Sequence, residues 1–565
     1  MQTGTTLQPR VATLLLASSM FLTGASGFVF ECILSTVGTF ILGNSIEQFS
    51  VTISLMMLMM GLAGFWQRKL TDDRLVEKFL AVEIGLAILG GFAPIAVYAA
   101  YATMEAHYYI VQYFFILSVG FLIGLEIPLV LRLNRNYVPQ LKSNIASVFS
   151  TDYLGAFIGA VVWVYVLLRY FPLTEISFFV AGANFAVAFA TYGYFSYHRV
   201  ASRGAVPVAL IALTALGLAV GYWQNRDWNE IFEQRFFSDP IAFSTTTKYQ
   251  HVVLTASLDP TDYRLYINGN LQFSSLDEEI YHEMLVHPAM ALAGGNSKVL
   301  ILGGGDGLAL REALKYEAAV AITLVDIDPG MIDFARDHDV MNELNAGAFH
   351  DSRVMAQVLD GVEEELRDSP LYERPVGPDG SGAEGLDPAV FVSVYTIDAD
   401  RILGNLEGAY DVIIIDLPDP NSVELVKLYS REFYLKLRRL LAPGAMLAVQ
   451  ATSPYHAKES FLSILRTIRS AGYGALPYHE NVPSFGDWGW ILAWTSGESE
   501  ADVRGRWMRL SEFGIDADEL RYLTPARVKA ALSFGKTALE SEHDEVNTLM
   551  EPVLLRFYLT ESWRR

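Results

Sequence analysis

The chain has one cysteine, Cys32, in 565 residues, so no internal disulfide can form and cysteine usage does not report a redox compartment. Charge is scarce as well: 18% of residues are Asp, Glu, Lys or Arg, against 52% hydrophobic. That balance excludes disordered, collagenous and small disulfide-rich chains. Basic residues are the scarcer sign, 41 Lys and Arg against 63 Asp and Glu for a net charge of -22. A nucleic-acid partner is therefore not expected, because a phosphate backbone selects a basic face. The length allows roughly two to four domains.

The shortage of charge is local. Residues 1–223 hold 11 Lys and Arg and 10 Asp and Glu, while residues 224–565 hold 30 and 53. A nearly uncharged half precedes a strongly acidic one. Acidity of this kind keeps a soluble domain soluble, and it also suits a cationic substrate.

What fills the first half is apolar runs. A membrane helix needs about 20 mostly apolar residues, and seven such stretches lie near 11–42, 50–66, 79–101, 109–131, 147–171, 176–197 and 205–223. The first run is too long for a cleaved signal and six more follow it. Loop charge alternates: Arg68, Lys69, Arg74 and Lys78 follow the second run, Arg132, Arg135 and Lys142 the fourth, Arg199 and Arg203 the sixth. The positive-inside rule sets those loops in the cytoplasm, and a seventh crossing then leaves residues 224–565 on the outer side. The expectation is a multi-pass domain in the cell membrane. Glu31, Glu83, Glu126 and Asp152 sit at membrane depth, and the one Lys or Arg in the same segments is Arg169, near the end of the fifth. Such acids either bond locally within the bundle or line a cation or amine site. GLEIPL and STDYLGA carry glycines suited to close helix packing.

The second half is expected to be α/β. Residues 224–246 read as an amphipathic connector, followed by HVVLTAS at 251–257 and YRLYINGN at 263–270, a hairpin with a turn at Asn268-Gly269. From 297 strands alternate with helices: SKVLIL, LALREALKY, AITLVDID, PGMIDFARDH, then AYDVIIID at 409–416 and GAMLAVQ at 444–450. That alternation predicts a parallel, doubly wound, Rossmann-like sheet over 297–496. Residues 368–388, rich in Pro, Gly and acid, read as a surface insertion, and 497–565 as a charged, partly helical tail.

The chemistry gathers at strand ends. Gly303-Gly304-Gly305-Asp306-Gly307 follows one strand and opens a helix, the place where a doubly wound sheet binds nucleosides. Asp326 ends the next strand, 23 residues after Gly303, where an acid suits a ribose diol. A phosphate-directed GxGxxG with its helix is absent. Asp306 would repel a pyrophosphate or a carboxylate and attract an amine, so an adenosine with a cationic tail is favoured over a dinucleotide. Asp416 and Asp419, three residues apart in DLPDP, can face one pocket. An alkylamine has a pKa of about 10.4 and cannot attack carbon until a base takes its proton; a carboxylate that pairs with the ammonium can be that base. Turn-and-cap roles for the same acids are the alternative.

GGGDG, VDID and DLPDP in this order, with Tyr249-Gln250 and INGNLQFSSLDEEIYHEM at 267–284 upstream, resemble the polyamine aminopropyltransferases, whose best-known members are spermidine synthases. The resemblance runs from about 245 to 496, with an echo in RYLTPARVKAAL at 521–532, and the apolar half is similar to the multi-helix domain of membrane-bound members. It implies a Rossmann-like, methyltransferase-like sheet with a small β-hairpin subdomain. It implies transfer of the aminopropyl group of decarboxylated S-adenosylmethionine, as co-substrate, to a putrescine-like diamine, giving a spermidine-like polyamine and methylthioadenosine, with no tightly bound cofactor and no metal. Carried over by position, Gln250 and Asp326 hold the ribose, Asp306 the aminopropyl ammonium, and Asp398 with Ala399 the adenine edge. Asp416 is the proton acceptor, and Gln272, Tyr281, His282 and Asp419 line the diamine pocket.

The chain departs from the family at several points. Asp326 stands where Glu is usual, Ala399 where Gly is usual, and Pro483-Ser484-Phe485 where the family has Pro-Thr-Tyr. Asp487 and Trp488 offer a charge and a cation–π face in place of the missing hydroxyl. Asp360 is the other candidate for the adenine edge. The competing readings are a membrane polyamine-binding or transport protein with a non-catalytic second half, and a methyltransferase, which Asp306 disfavours. A homo-oligomer stays open. So does the side of the catalytic half, because a donor made in the cytoplasm conflicts with the side that loop charge assigns.

Overall fold

In the computed structural model the described residues are 9–42, 45–201, 204–258, 262–319, 321–355, 391–406, 408–495 and 497–561. The expected insertion at 368–388 and the alternative acid Asp360 lie outside them. The chain divides into two compact units, Met1–Pro240 and Ile241–Arg565.

Among the described residues of the first unit, seven helices are long and apolar enough to cross a membrane: Arg10–Ile41, Ile46–Lys69, Leu75–Met104, Tyr108–Asn134, Leu141–Tyr170, Leu173–Tyr197 and Ala205–Gln234. Close packing is visible where the sequence placed it. A Cβ on Gly155, in STDYLGA, would fall 1.9 Å from the Phe21 carbonyl oxygen, so the fifth helix meets the first backbone to backbone. Glu83 and Glu126 are 0% and 2% exposed and lie side by side. The expected connector at 224–246 is not a separate element. The last helix runs on to Gln234, because Leu218, Asn225, Trp228 and Phe232 recur at three- to seven-residue intervals on the face that packs inward. The amphipathicity read as a connector belongs to that helix.

The remainder of the connector opens the second unit as a strand, β1 (Ile241–Thr246). It pairs with β2 (His251–Ala256), β3 (Tyr263–Ile267) and β4 (Asn270–Ser274) in an antiparallel sheet of order β1-β2-β3-β4. The two predicted runs are β2 and β3 of a four-stranded meander, and the predicted turn joins β3 to β4, with positive φ at Asn268 (50°) and Gly269 (80°), as an Asn-Gly turn requires. After the helix Glu278–Leu292 comes an eight-stranded sheet. Its strands are β5 (Lys298–Gly303), β6 (Ala321–Asp326), β7 (Val354–Met355), β8 (Phe391–Thr396), β9 (Tyr410–Asp416), β10 (Leu441–Gln450), β11 (Gly474–Val482) and β12 (Gly486–Trp494), in the order β11-β12-β10-β9-β5-β6-β8-β7.

The sheet is mixed rather than wholly parallel. β5 to β10 pair in parallel, while β12 is antiparallel to both β10 and β11. β11 and β12 are joined by only Pro483-Ser484-Phe485, too short for the crossover that a parallel pair needs. The central strands are buried on both faces, with Val299 and Ile301 in one core and Leu300 and Leu302 in the other. The tail is not a freestanding piece. Trp507 is fully buried, its indole N–H donating to the Val528 carbonyl at 2.6 Å, and the Glu283 carboxylate accepts the backbone N–H groups of Arg521, Tyr522 and Leu523.

Candidate active site

From β5 the chain proceeds outward to β6 and β8, then returns to β9 on the other side of β5. The reversal opens a crevice at the carboxyl ends of β5 and β9, where Gly303 and Asp416 are register partners. Gly303 has φ +85°, and a Cβ there would lie 1.9 Å from the Asp416 carbonyl oxygen, so only glycine fits. The N–H of Gly304 donates to that oxygen at 3.1 Å, and the N–H of Gly305 to Asp326 Oδ2 at 3.0 Å. The glycine loop is therefore pinned between the ends of β9 and β6.

Three predicted residues converge here. One ligand-type atom each from His282, Asp306 and Asp416 all lie within 4.8 Å of one another, a spacing that suits a cation. Tyr281 donates its hydroxyl to Asp416 Oδ1 at 2.8 Å. Burial and the neighbouring Asp416 hold the Tyr281 phenol well above its usual range, so it stays a donor. His282 turns Nδ1 to Glu278 Oε2 at 2.9 Å and Nε2 toward Asp416 Oδ2 at 4.0 Å. Burial alone would lower the imidazole, but Glu278, then Asp416 and Asp306, outweigh it and push it up to about 9. Burial raises Asp306 and takes Asp416 up to about 6; His282 opposes both shifts.

Asp419 lies three residues further along the loop. Its Oδ2 accepts the hydroxyls of Tyr558 at 2.9 Å and Thr452 at 3.2 Å, its Oδ1 accepts the Gln450 amide at 3.3 Å, and burial takes it up to about 6. An aromatic wall stands beside Tyr281, with ring centroids of Phe485 at 6.1 Å and Trp488 at 6.4 Å. Asp487 does not join it. Successive strand residues face opposite ways, and Asp487 is turned to His479 Nδ1 at 2.6 Å. The charge expected to replace the missing hydroxyl is therefore spent elsewhere. Ser484 is also committed, its hydroxyl and N–H both donating to Asp277 at 2.8 and 2.6 Å.

At the end of β6 Asp326 accepts the N–H groups of Gly305 and Asp328, and burial takes it up to about 6. Gln250 reaches Asp328 with its side chain, two residues from Asp326. Asp398 is placed at the end of β8, where its Oδ1 caps the short helix Ala399–Ile402 and its Oδ2 pairs with Lys427 at 2.6 Å. Burial would raise it, but Lys427 and the cap hold it below the ordinary carboxylate value. Ala399 is 7% exposed. Gln272 is not brought into the cluster by any bond among the described residues; its amide donates to the Asn270 carbonyl at 3.1 Å.

Several participants escaped the sequence reading. Glu278 is 2% exposed and held by both terminal nitrogens of Arg311, at 2.6 and 3.0 Å, while its other bond orients His282. The i,i+4 spacing of Glu278 and His282 was a usable signal; Arg311 and Tyr558, remote in sequence, carried none.

The Spermine/spermidine synthase domain family matches residues 278–365 and 390–504. Polyamine aminopropyltransferase 1 of Streptomyces coelicolor is 37% identical over 563 residues, covering 98% of this chain and 96% of the relative. Polyamine aminopropyltransferase of Oceanobacillus iheyensis is 34% identical, covering 95% of each. The crystal structure of spermidine synthase from Thermotoga maritima aligns with a TM-score of 0.41 at 22% identity, over 53% of this chain and 87% of that one. Such identity over almost the whole length of both chains makes this protein a member of the polyamine aminopropyltransferases, a family of transferases.

Proposed function

We propose that the second unit moves the aminopropyl group of decarboxylated S-adenosylmethionine to a putrescine-like diamine, releasing a spermidine-like polyamine and methylthioadenosine. The carrying observation is the convergence of Asp306, Asp416 and His282 within 4.8 Å at the sheet's switch point. Two carboxylates there match the two ammonium groups that must meet. Asp306 grips the aminopropyl ammonium, Asp326 and Gln250 the ribose, and Asp398 with Ala399 the adenine edge. Asp419, Tyr281, His282 and, after its amide turns from Asn270, Gln272 receive the diamine.

Asp416 takes a proton from the near ammonium. The freed lone pair attacks the methylene next to the sulfonium, the carbon–sulfur bond breaks, and its electron pair neutralises sulfur to a thioether. Most of the acceleration comes from alignment of nitrogen, carbon and sulfur, with one base added. His282, an imidazolium at neutral pH, offsets the carboxylates until the substrate ammonium groups arrive.

The first unit we read as a multi-pass membrane domain. Its outward side chains support this: Met57, Leu58, Phe65, Leu213 and Leu216 are all more than half exposed, which water disfavours and lipid accepts.

Incubation of the purified protein with decarboxylated S-adenosylmethionine and a panel of diamines is expected to yield methylthioadenosine and an amine heavier by one aminopropyl group, read by mass. A binding protein would give neither product. The pH profile supplies an independent check. Asp416 accepts a proton only when ionised and titrates at about 6, so kcat/KM falls as pH drops through about 6 and levels off above it. An acid limb that persists unchanged in Asp416→Asn would assign it to another group.

A further inference from the structure

Asp419 is met by a part of the chain far from the sheet. The helix Val553–Glu561 presents Tyr558, whose hydroxyl donates to Asp419 Oδ2 at 2.9 Å across 139 residues of sequence. This placement is built rather than incidental. Asn547, just before the helix, is 0% exposed, and its amide donates to the carbonyls of Val426 and Tyr429, both at 3.0 Å. Its own carbonyl accepts the Arg431 N–H at 2.9 Å, and Leu554 fills the core on that face of the sheet.

We infer that this C-terminal segment completes the amine-binding end of the active site, with Tyr558 as the positioning residue that orients Asp419. The inference rests on the reading of Asp419 as a diamine residue given above. An ionised carboxylate offers about four acceptor positions. Tyr558 and Thr452 fill those of Oδ2, and Gln450 takes one on Oδ1. One direction on Oδ1 is left for an ammonium N–H. A single remaining direction fixes where the far nitrogen of the diamine sits, and with it the chain length that brings the near nitrogen to Asp416. Without the Tyr558 hydroxyl, Oδ2 becomes a second landing point and the distance is no longer set.

The test uses the full chain and three variants, Tyr558→Phe, Tyr558→Leu and Asp419→Asn, with diaminopropane, putrescine and cadaverine as acceptors. Tyr558→Phe keeps the ring and its packing. It is expected to raise KM for the preferred diamine about tenfold, the worth of a hydrogen bond to a charged group. It should also weaken the discrimination among the three lengths, while KM for the nucleoside donor moves less than about twofold. Tyr558→Leu should match it if the hydroxyl, not the ring, carries the effect. Unchanged amine KM and length preference in Tyr558→Phe overturn the inference, as does a parallel rise in donor and amine KM, which marks general damage. Asp419→Asn separates the two readings. If it raises amine KM and Tyr558→Phe does not, only the positioning role fails; if it leaves amine KM unchanged, Asp419 is not a diamine residue and the underlying reading fails first.

Discussion

Asp416→Asn is expected to lower kcat by about 10²–10⁴-fold, the usual worth of a positioned general base. Asparagine keeps the shape and can still accept the Tyr281 hydroxyl, so the aromatic side of the site stays in place. What it loses is the ability to take a proton and the charge that draws an ammonium. Affinity for the nucleoside donor should persist, because its expected contacts, Asp306 and Asp326, are untouched. Stability should hold or rise. Asp416 titrates at about 6 in the fold, above its unfolded value, so ionising it at neutral pH opposes folding, and that cost vanishes in the amide. The signature is therefore a large loss of turnover, with donor binding by calorimetry preserved and a thermal midpoint that is unchanged or higher. Near-normal turnover would take the base role from Asp416; a collapsed midpoint would mean that the carboxylate serves the fold instead.

The parts of this site that could be read from sequence are those whose signals are short. The loop at 303–307, Asp326 and Asp416 each adjoin a buried strand whose apolar run marks where it ends, and the crevice follows from strand order. The seven apolar helices are legible for the same reason, since each carries its signal within one segment. Pairings between distant segments are not. Nothing near Tyr558 names Asp419, and nothing near Asp487 reveals that His479 will claim it. The connector was misread because an amphipathic face shows period but not continuity: Trp228 and Phe232 extend a helix that hydropathy alone ends at 223. The mixed sheet escaped because β11 and β12 differ from a parallel pair only in the shortness of their connection.

Arg311→Met carries the largest expected effect on stability, about 3–5 kcal/mol, the cost of stripping one partner from a buried ion pair. Arg311 spans two acids that water barely reaches, Glu278 at 2% and Glu312 at 1% side-chain exposure. Glu312 keeps Lys315 at 2.6 Å and His287 at 2.8 Å. Among the described residues Glu278 then keeps only His282 as an ionic partner, so the loss falls on the residue that orients the active-site imidazole. Methionine fills much of the volume, which separates lost charge from lost packing. The pair Glu278→Gln with Arg311→Met removes both charges and should recover a large part of the loss, giving a coupling energy well above about 1 kcal/mol in a double-mutant cycle read by denaturant midpoints. Turnover should not recover with stability, because glutamine cannot hold His282 as an imidazolium facing Asp416. A double variant that regains both would show that the network braces the fold alone, and that His282 is set for catalysis by something other than Glu278.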